Sequence, residues 1–405
     1  MIQEHFNCRL CKSDNIETIL NFGETALANS YLKESQLNDP EFKAPLEVFL
    51  CHNCGSVQLK HTVLPEALFS NYLYASSQGP LAQYFEKYAK EVANFVELEE
   101  KDLVVDIGSN DGVLLKPFKR MGFKVLGIEP ARNLAAQSNE LGLETVCEFF
   151  NAETGKQLAE KYGRARLITC NNAFAHISDL DSIVKGVKNL LLEEGCFVFE
   201  NAYLLDTVQG KYIDQIYHEH LYYHSLKPLI TFFEKHGMYL FHVQRTPIQG
   251  GSIRCYVSKR PVLATEAVKT LLEQEDIARL YDRRTYSLLK LQVSEISDLL
   301  NLFIFNEKNY GRRVCAYGAP AKFTTLCKVM GIKNGDFDYV VDDSPIKQGL
   351  FTPDNHIKIV SRQYFLDNPP DSCVITAWNF TDNIIKNNLE YKGKFVKILP
   401  ELEVV

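Results

Sequence analysis

Four cysteines stand in two pairs, Cys8-Arg-Leu-Cys11 and Cys51-His-Asn-Cys54. A CxxC turn points two thiolates at one centre, and two such turns complete a tetrahedral four-cysteine zinc site. The 39 residues between the pairs exceed the usual interval of about 15–20. A longer loop adds little closure entropy, so the spacing is tolerable. Turn-forming residues follow each pair, Lys12-Ser13 and Gly55-Ser56. Four unrelated buried thiols are the competing reading, which two pairs within 47 residues make a poor one. Four thiolates leave no open position, so the expected zinc is structural. His52 reads as a turn residue. The other seven cysteines (Cys147, Cys170, Cys196, Cys255, Cys315, Cys327 and Cys373) are scattered and read as ordinary buried thiols.

A second cluster is ionisable. Residues 211–226 read Lys-Tyr-Ile-Asp-Gln-Ile-Tyr-His-Glu-His-Leu-Tyr-Tyr-His-Ser-Leu. Three of the ten histidines (His218, His220 and His224) fall here, beside Glu219, Tyr217, Tyr222 and Tyr223. Imidazole is the side chain best matched to proton transfer near neutral pH, and a neighbouring carboxylate can orient it and raise its basicity. His218 and His220 are two apart, so they cannot share a helical face. On a strand they could, which leaves a metal site open beside the acid/base reading.

A third signal is a strand, a glycine turn and a helix. Leu103-Val-Val-Asp-Ile107 is a short apolar run, followed by Gly108-Ser-Asn-Asp-Gly112 and a helix-compatible stretch from Val113. A second run, Lys124-Val-Leu-Gly-Ile128, ends in Glu129, placed to accept hydrogen bonds from two ribose hydroxyls. The turn is not GxGxxG, which disfavours a dinucleotide. The form DxGxxxG, from Asp106 to Gly112, resembles the first motif of S-adenosylmethionine-dependent methyltransferases, and Glu129 resembles their ribose-binding acid. Residues 165–172 read as a strand ending in Asn171 and Asn172, then Phe174-Ala-His176 and a helix over 179–192. This resembles the fourth strand of that fold, whose loop faces the cofactor. Another Rossmann-like domain with an adenine ligand is the alternative.

These groups need elements to hold them. Residues 264–308 are charge-rich with few breakers and read as long helices. After them, Arg313–Tyr317 reads as a strand and Gly318-Ala-Pro-Ala-Lys322 as a turn opening a helix. Asp338–Asp342 and Ser372–Ala377 read as further strands, and Phe395–Leu399 as the strand that closes the sheet. Strands alternating with helices predict a second parallel α/β domain, whose turns suit a nucleotide or diphosphate. Lys322, opening a helix, is the candidate phosphate partner; Lys347 and His356 are weaker ones. The expected class is therefore α/β: an N-terminal zinc-binding module (1–75), a central Rossmann-like domain (76–260) and a C-terminal second Rossmann-like domain (261–405).

Bulk properties agree with this. At 405 residues, two to four domains are expected. Hydrophobic residues make 46% and charged residues 23%, enough for real cores. The 44 basic and 51 acidic side chains give a net charge of −7, which argues against a nucleic-acid-binding face. No run of 18 apolar residues exists, so no membrane helix is expected. Eleven cysteines without a secretory pattern at the start favour a reducing cytoplasm.

Together the parts resemble one family. The knuckles, Asp106–Gly112, Tyr217-His-Glu-His220, Gln249-Gly-Gly-Ser-Ile-Arg254 and Tyr317-Gly-Ala-Pro-Ala-Lys322 occur in the order found in sugar C-methyltransferases, which act on nucleotide-linked 4-keto-deoxysugars, typically at C3. A Tyr72-Leu-Tyr74 segment and Asn171–His176 extend the resemblance over nearly the whole chain. The resemblance implies a class I methyltransferase fold in the centre, S-adenosylmethionine as cofactor and structural zinc. It implies His220 as the base, Glu219 as its orienter, and Tyr217, His176 and Tyr72 or Tyr74 as further catalytic groups. Asp106, Gly108, Asn110, Asp111, Gly112, Glu129, Asn171 and Asn172 are implied for the cofactor, and Ser252, Arg254, Tyr317 and Lys322 for the acceptor. Cys8, Cys11, Cys51 and Cys54 would hold the zinc. The partner implied is a small nucleotide-linked keto-deoxysugar, with no nucleic acid and no membrane. No oligomeric state follows, and a monomer is one option. Phe323 departs from the small residue familiar after this last motif, and would alter the C-terminal pocket. Carbon acidity explains why a base is wanted: a ketone acidifies the neighbouring proton, and the resulting enolate carbon attacks a sulfonium methyl without help from a metal. A non-catalytic zinc adaptor and a methyltransferase of another acceptor are the competing readings.

Overall fold

The computed structural model describes residues 2–64, 68 and 81–405. Near the N-terminus, β1 (Ile16–Ala26), β2 (Lys43–Cys51) and β3 (Val57–Leu59) form an antiparallel sheet. The second knuckle is the turn between β2 and β3. There Gly55 takes φ +81°, and its N–H donates to the Cys51 carbonyl at 2.8 Å. A Cβ at Gly55 would meet the Tyr281 ring at 2.5 Å, so both the turn and the packing require glycine.

The central sheet starts after the helix α1 (Leu81–Phe95). Its strands are β4 (Leu103–Ile107), β5 (Lys124–Ile128), β6 (Thr145–Val146), β7 (Ala165–Asn171) and β8 (Leu191–Ala202). All five run parallel, in the order β8-β7-β4-β5-β6. Strands buried on both faces are apolar throughout, and Val104, Val105 and Ile107 are buried accordingly. Strand order reverses at β4, which opens a crevice at the carboxyl ends of β4 and β7. Two more strands, β10 (Tyr239–Thr246) and β11 (Ser252–Ser258), extend the sheet antiparallel beyond β8.

The histidine segment lies between β8 and β10 in sequence but does not join their sheet. Its short strand, β9 (Tyr222–Tyr223), pairs with β3, giving the order β9-β3-β2-β1. The catalytic candidates are thus carried on the edge of the N-terminal sheet. Beneath them Phe174, Phe197, Phe199 and Phe233 pack as one aromatic cluster in the core.

The charge-rich stretch forms a helix over Glu266–Ile277 and the long α2 (Arg283–Asn309). The third sheet follows, from β12 (Val314–Tyr317), through the helix α3 (Phe323–Met330), to β13 (Val340–Val341), β14 (Ile359–Val360), β15 (Ser372–Ile375) and β16 (Lys394–Lys397). These strands are parallel in the order β14-β13-β12-β15-β16. The sheet does not close on 395–399. Pro400 has no N–H to continue a ladder, and the chain folds back so that β17 (Glu403–Val404) adds an antiparallel edge to β16. No helix among the described residues is long and apolar enough to cross a membrane.

Candidate active site

The four knuckle cysteines converge. Their sulfurs all lie within 4.8 Å of one another, with Cys8 Sγ 3.6 Å from Cys54 Sγ and Cys11 Sγ 3.5 Å from Cys51 Sγ. Tetrahedral zinc with Zn–S near 2.3 Å wants sulfurs about 3.8 Å apart, so the cluster fits the ion. Gln58 Nε2 donates to Cys8 Sγ at 3.2 Å, the type of outer contact that fixes a thiolate ligand. His52 faces Glu17 instead.

A cavity of about 1290 Å³ joins the central sheet to the C-terminal one. One end is the β4 turn. Gly108 takes φ +72° there, and a Cβ on it would meet the Ala173 Cβ at 2.8 Å. Asn110 and Asn172, in the two facing loops, adopt φ +51° and +52°, a region asparagine tolerates better than most residues. Glu129 takes the Asn110 N–H on one oxygen and the Ala131 N–H on the other, each at 2.8 Å. Each oxygen keeps a lone pair for a further donor. Burial holds Glu129 above its usual range and pushes Asp106 up to about 7, against the Thr169 hydroxyl that donates to it at 2.7 Å. Asp106, Gly108, Asn110, Glu129, Asn171 and Asn172 line this end with Phe149 and Phe150. The close-approach glycine and the acid with spare lone pairs fit an adenosine-bearing cofactor. Asp111 and Gly112 lie behind the wall. Side chains from the core pack against Gly112, since a Cβ there would meet Leu143 at 2.5 Å and Ser138 at 2.6 Å.

The histidines are next along the cavity. Nδ1 of His220 is 2.8 Å from the Gln215 carbonyl, and Nε2 is 2.9 Å from the Tyr217 hydroxyl. A carbonyl can only accept, so Nδ1 carries the proton and Nε2 is the free base, taking the Tyr217 O–H. Burial, reinforced by the His176 ring, holds His220 well below the ordinary imidazole value. The His176 ring meets it edge-on, with centroids 4.9 Å apart, and burial lowers His176 to about 4. Tyr217, His176 and His220 all line the cavity.

Their neighbours are turned elsewhere. Glu219 receives the Asn29 amide at 3.1 Å, so the orienting contact expected of it is made by the Gln215 carbonyl. His218 Nε2 donates to the Ala44 carbonyl of β2 at 3.1 Å, a tie to the N-terminal sheet rather than a ligand. His224 stacks on Phe174 in the core.

Tyr317 lines the far end of the cavity with Asp342, Asp343 and Lys347, and Lys322 lines the wall between them and His220, on which its charge acts. Tyr317 donates to Asp343 at 3.0 Å. Lys347 is tied to the Ala319 carbonyl at 2.9 Å and to Asp342 at 3.1 Å, and His356 to Glu41 at 2.7 Å. Ser252 and Arg254 are not brought to the cavity. Both are buried on β11, where the Arg254 guanidinium donates to Glu200 at 2.9 Å and to Glu91 at 3.1 Å and covers the Tyr88 ring. An arginine so paired has little left to offer a ligand. Phe323 is also buried away from the wall, so it fills core rather than pocket. Tyr72 and Tyr74 lie outside the described residues. Gln215 and Trp378 escaped the sequence reading; their neighbours in sequence are polar or apolar in no telling pattern.

Comparison with known proteins covers the chain in three blocks. Residues 8–69 match a family model described as "Putative zinc binding domain", 81–243 a "Methyltransferase domain" and 247–400 a "C-methyltransferase C-terminal domain". The chain is 34% identical to the C-methyltransferase NovU of Streptomyces niveus, over 98% of its own length and 96% of that protein's. Among solved structures, magnesium protoporphyrin IX methyltransferase ChlM of Synechocystis PCC 6803 with bound SAH is 15% identical. It covers 44% of this chain and 82% of its own, with a TM-score of 0.34. An S-adenosylmethionine-dependent methyltransferase of Clostridium acetobutylicum is 14% identical over 45% and 92% of the two chains, with a TM-score of 0.34.

Proposed function

This chain belongs to the C-methyltransferase family, an S-adenosylmethionine-dependent enzyme with a structural zinc module, and from that premise we propose that its acceptor is a nucleotide-diphosphate-linked 4-keto-6-deoxysugar, methylated beside the ketone at C3. The observation that carries this is the state of His220: a neutral imidazole whose Nδ1 is tied to a carbonyl and whose Nε2 faces the cavity beside Tyr217. Such a ring can take a proton and is held where it can take one from carbon.

In this reading Asp106, Gly108, Asn110, Glu129, Asn171 and Asn172 hold the cofactor, Glu129 through the ribose hydroxyls. S-adenosylmethionine supplies an electrophilic methyl group. His220 removes the proton next to the acceptor's carbonyl, which ends on Nε2, with Tyr217 as the adjoining donor and His176 packing the ring in place. Asp343, Tyr317 and the turn from Gly318 receive the nucleotide end. A single cavity that reaches both turns lets the cofactor sit at one and the acceptor's nucleotide at the other, with the sugar between them at His220. The test is incubation with S-adenosylmethionine and a panel of nucleotide-linked 4-keto-6-deoxysugars, read by mass. A gain of one methyl on a carbon next to the ketone is expected; products methylated only on oxygen or nitrogen would exclude the reading.

A further inference from the structure

Lys322 is the buried cation that this chemistry leaves unused. It closes the Gly318-Ala-Pro-Ala turn at the N-cap of α3, lines the cavity and is 7% exposed. Among the described residues its Nζ has no hydrogen-bond acceptor. It lies over the Trp378 ring, 4.5 Å from the centroid. Trp378 Nε1 donates to Asp214 Oδ2 at 2.7 Å. Asp214 immediately precedes Gln215, whose carbonyl fixes Nδ1 of His220. One run of contacts therefore holds both the ammonium and the base, and both face the same space.

An ammonium buried without an acceptor is costly. The indole face and the Asp214 carboxylate recover part of that cost. Burial draws Lys322 below its ordinary value while Asp214 opposes it. A cation in this condition gains most from an anion that forms beside it. A diphosphate is a poor match, because its charge is present before and after the reaction and does not need to be met in the wall next to the base. The other lysine of this end, Lys347, is already occupied by Asp342 and the Ala319 carbonyl.

We propose that Lys322 is a catalytic residue, which receives the carbonyl oxygen of the acceptor and stabilises the negative charge it acquires on deprotonation. This rests on the carbonyl-acceptor reading above. The C–H bond next to the carbonyl breaks and its proton goes to His220 Nε2. Its electron pair forms a carbon–carbon double bond, and the carbonyl π pair moves onto oxygen, opposite the Lys322 ammonium. In D2O the reverse step returns deuterium to the carbon, so the half-reaction can be followed without methyl transfer.

The test uses the full-length zinc-loaded protein and its Lys322→Met and Lys322→Gln variants. Three quantities are measured: deuterium wash-in beside the ketone of a nucleotide-linked 4-keto-6-deoxysugar with S-adenosylhomocysteine present, affinity for the nucleoside diphosphate alone, and affinity for S-adenosylhomocysteine. Loss of a donor to a developing oxyanion costs about 10²–10³-fold, so wash-in at saturating acceptor should fall by that factor in both variants while both affinities hold. Weakened nucleoside diphosphate binding with unchanged wash-in would make Lys322 a phosphate ligand and overturn the proposal. Collapse of S-adenosylhomocysteine binding and zinc content in both variants would assign it to folding, with the same result. If the wild-type enzyme itself washes in no deuterium, the carbonyl-acceptor reading fails before any variant is compared.

Discussion

His220 shows how one hydrogen bond can decide what a residue does. The Gln215 carbonyl takes the Nδ1 proton and thereby leaves Nε2 as the proton acceptor. His218, two positions away, spends Nε2 on the Ala44 carbonyl and does not line the cavity. His220→Asn is therefore expected to lower kcat about 10²–10⁴-fold with S-adenosylhomocysteine affinity retained. His218→Asn should lower stability more than kcat; equal losses of kcat at saturating substrate would remove the distinction. Acidity adds a second check. Burial first, then His176, with Lys322 and His224 adding, holds His220 well below 6.5, while the Gln215 carbonyl opposes. The base must be neutral, and a lowered value keeps it neutral further into acid. The acid limb of kcat/KM that disappears in His220→Asn should thus lie below pH 6.5. A limb centred above that value would assign the proton acceptor to another group.

At the scale of elements, the zinc module acts as a clamp on the histidine segment. β9 is a strand of its sheet, with Tyr222 opposite Gln58 and Tyr223 opposite Val57. Arg9, inside the first knuckle, donates to the Leu59 carbonyl at 2.8 Å and to the Leu221 carbonyl at 2.7 Å, and its guanidinium covers the Tyr222 ring. Leu221 follows His220 directly. Arg9→Met would strip the Leu59 carbonyl of this donor, at about 1–3 kcal/mol if no water replaces it, and leave the Leu221 carbonyl only the Leu59 N–H at 3.0 Å. The expected outcome is a fall in kcat with cofactor affinity unchanged, since the β4 turn stands on a different sheet. Removing zinc with a chelator should do the same and more. Full turnover by zinc-free, folded protein would refute the clamp. The knuckles were legible because CxxC spacing is a local signature of convergent thiolates, and the β4 turn because a strand, a glycine at positive φ and a helix are contiguous in sequence. The clamp was not legible, because a two-residue strand whose partners lie 164 and 166 residues earlier has no periodicity to reveal it. Arg254 came from the resemblance of its motif alone, and only the sheet shows that Glu200 and Glu91 already claim its guanidinium. Glu219 was assigned by adjacency, whereas the fold gives the Nδ1 contact to the Gln215 carbonyl and sets Glu219 against the Asn29 amide.

Across the whole molecule, the cavity is bounded by two Rossmann-like sheets whose carboxyl ends face each other, with the zinc module holding the histidine segment between them. Binding at its two ends should be separable, and the chain contains its own reporter. Trp378 is the sole tryptophan. It stacks on Tyr212 with centroids 3.9 Å apart, lies under Lys322 and donates to Asp214, all at the end away from the β4 turn. Indole emission responds to nearby charge and to the polarity around the ring. A nucleoside diphosphate or a nucleotide-linked sugar entering between the two sheets places anionic groups and displaces water near that wall. Titration with either is therefore expected to change the emission saturably. Titration with S-adenosylhomocysteine, which the proposed site holds around Gly108 and Glu129, should leave it unchanged. The opposite pattern, a response to the cofactor product and none to the nucleotide, would put the acceptor's nucleotide somewhere other than the C-terminal end of the cavity. The same signal in Lys322→Met divides the roles again: if the nucleotide still shifts the emission with wild-type affinity, its phosphates do not depend on that ammonium.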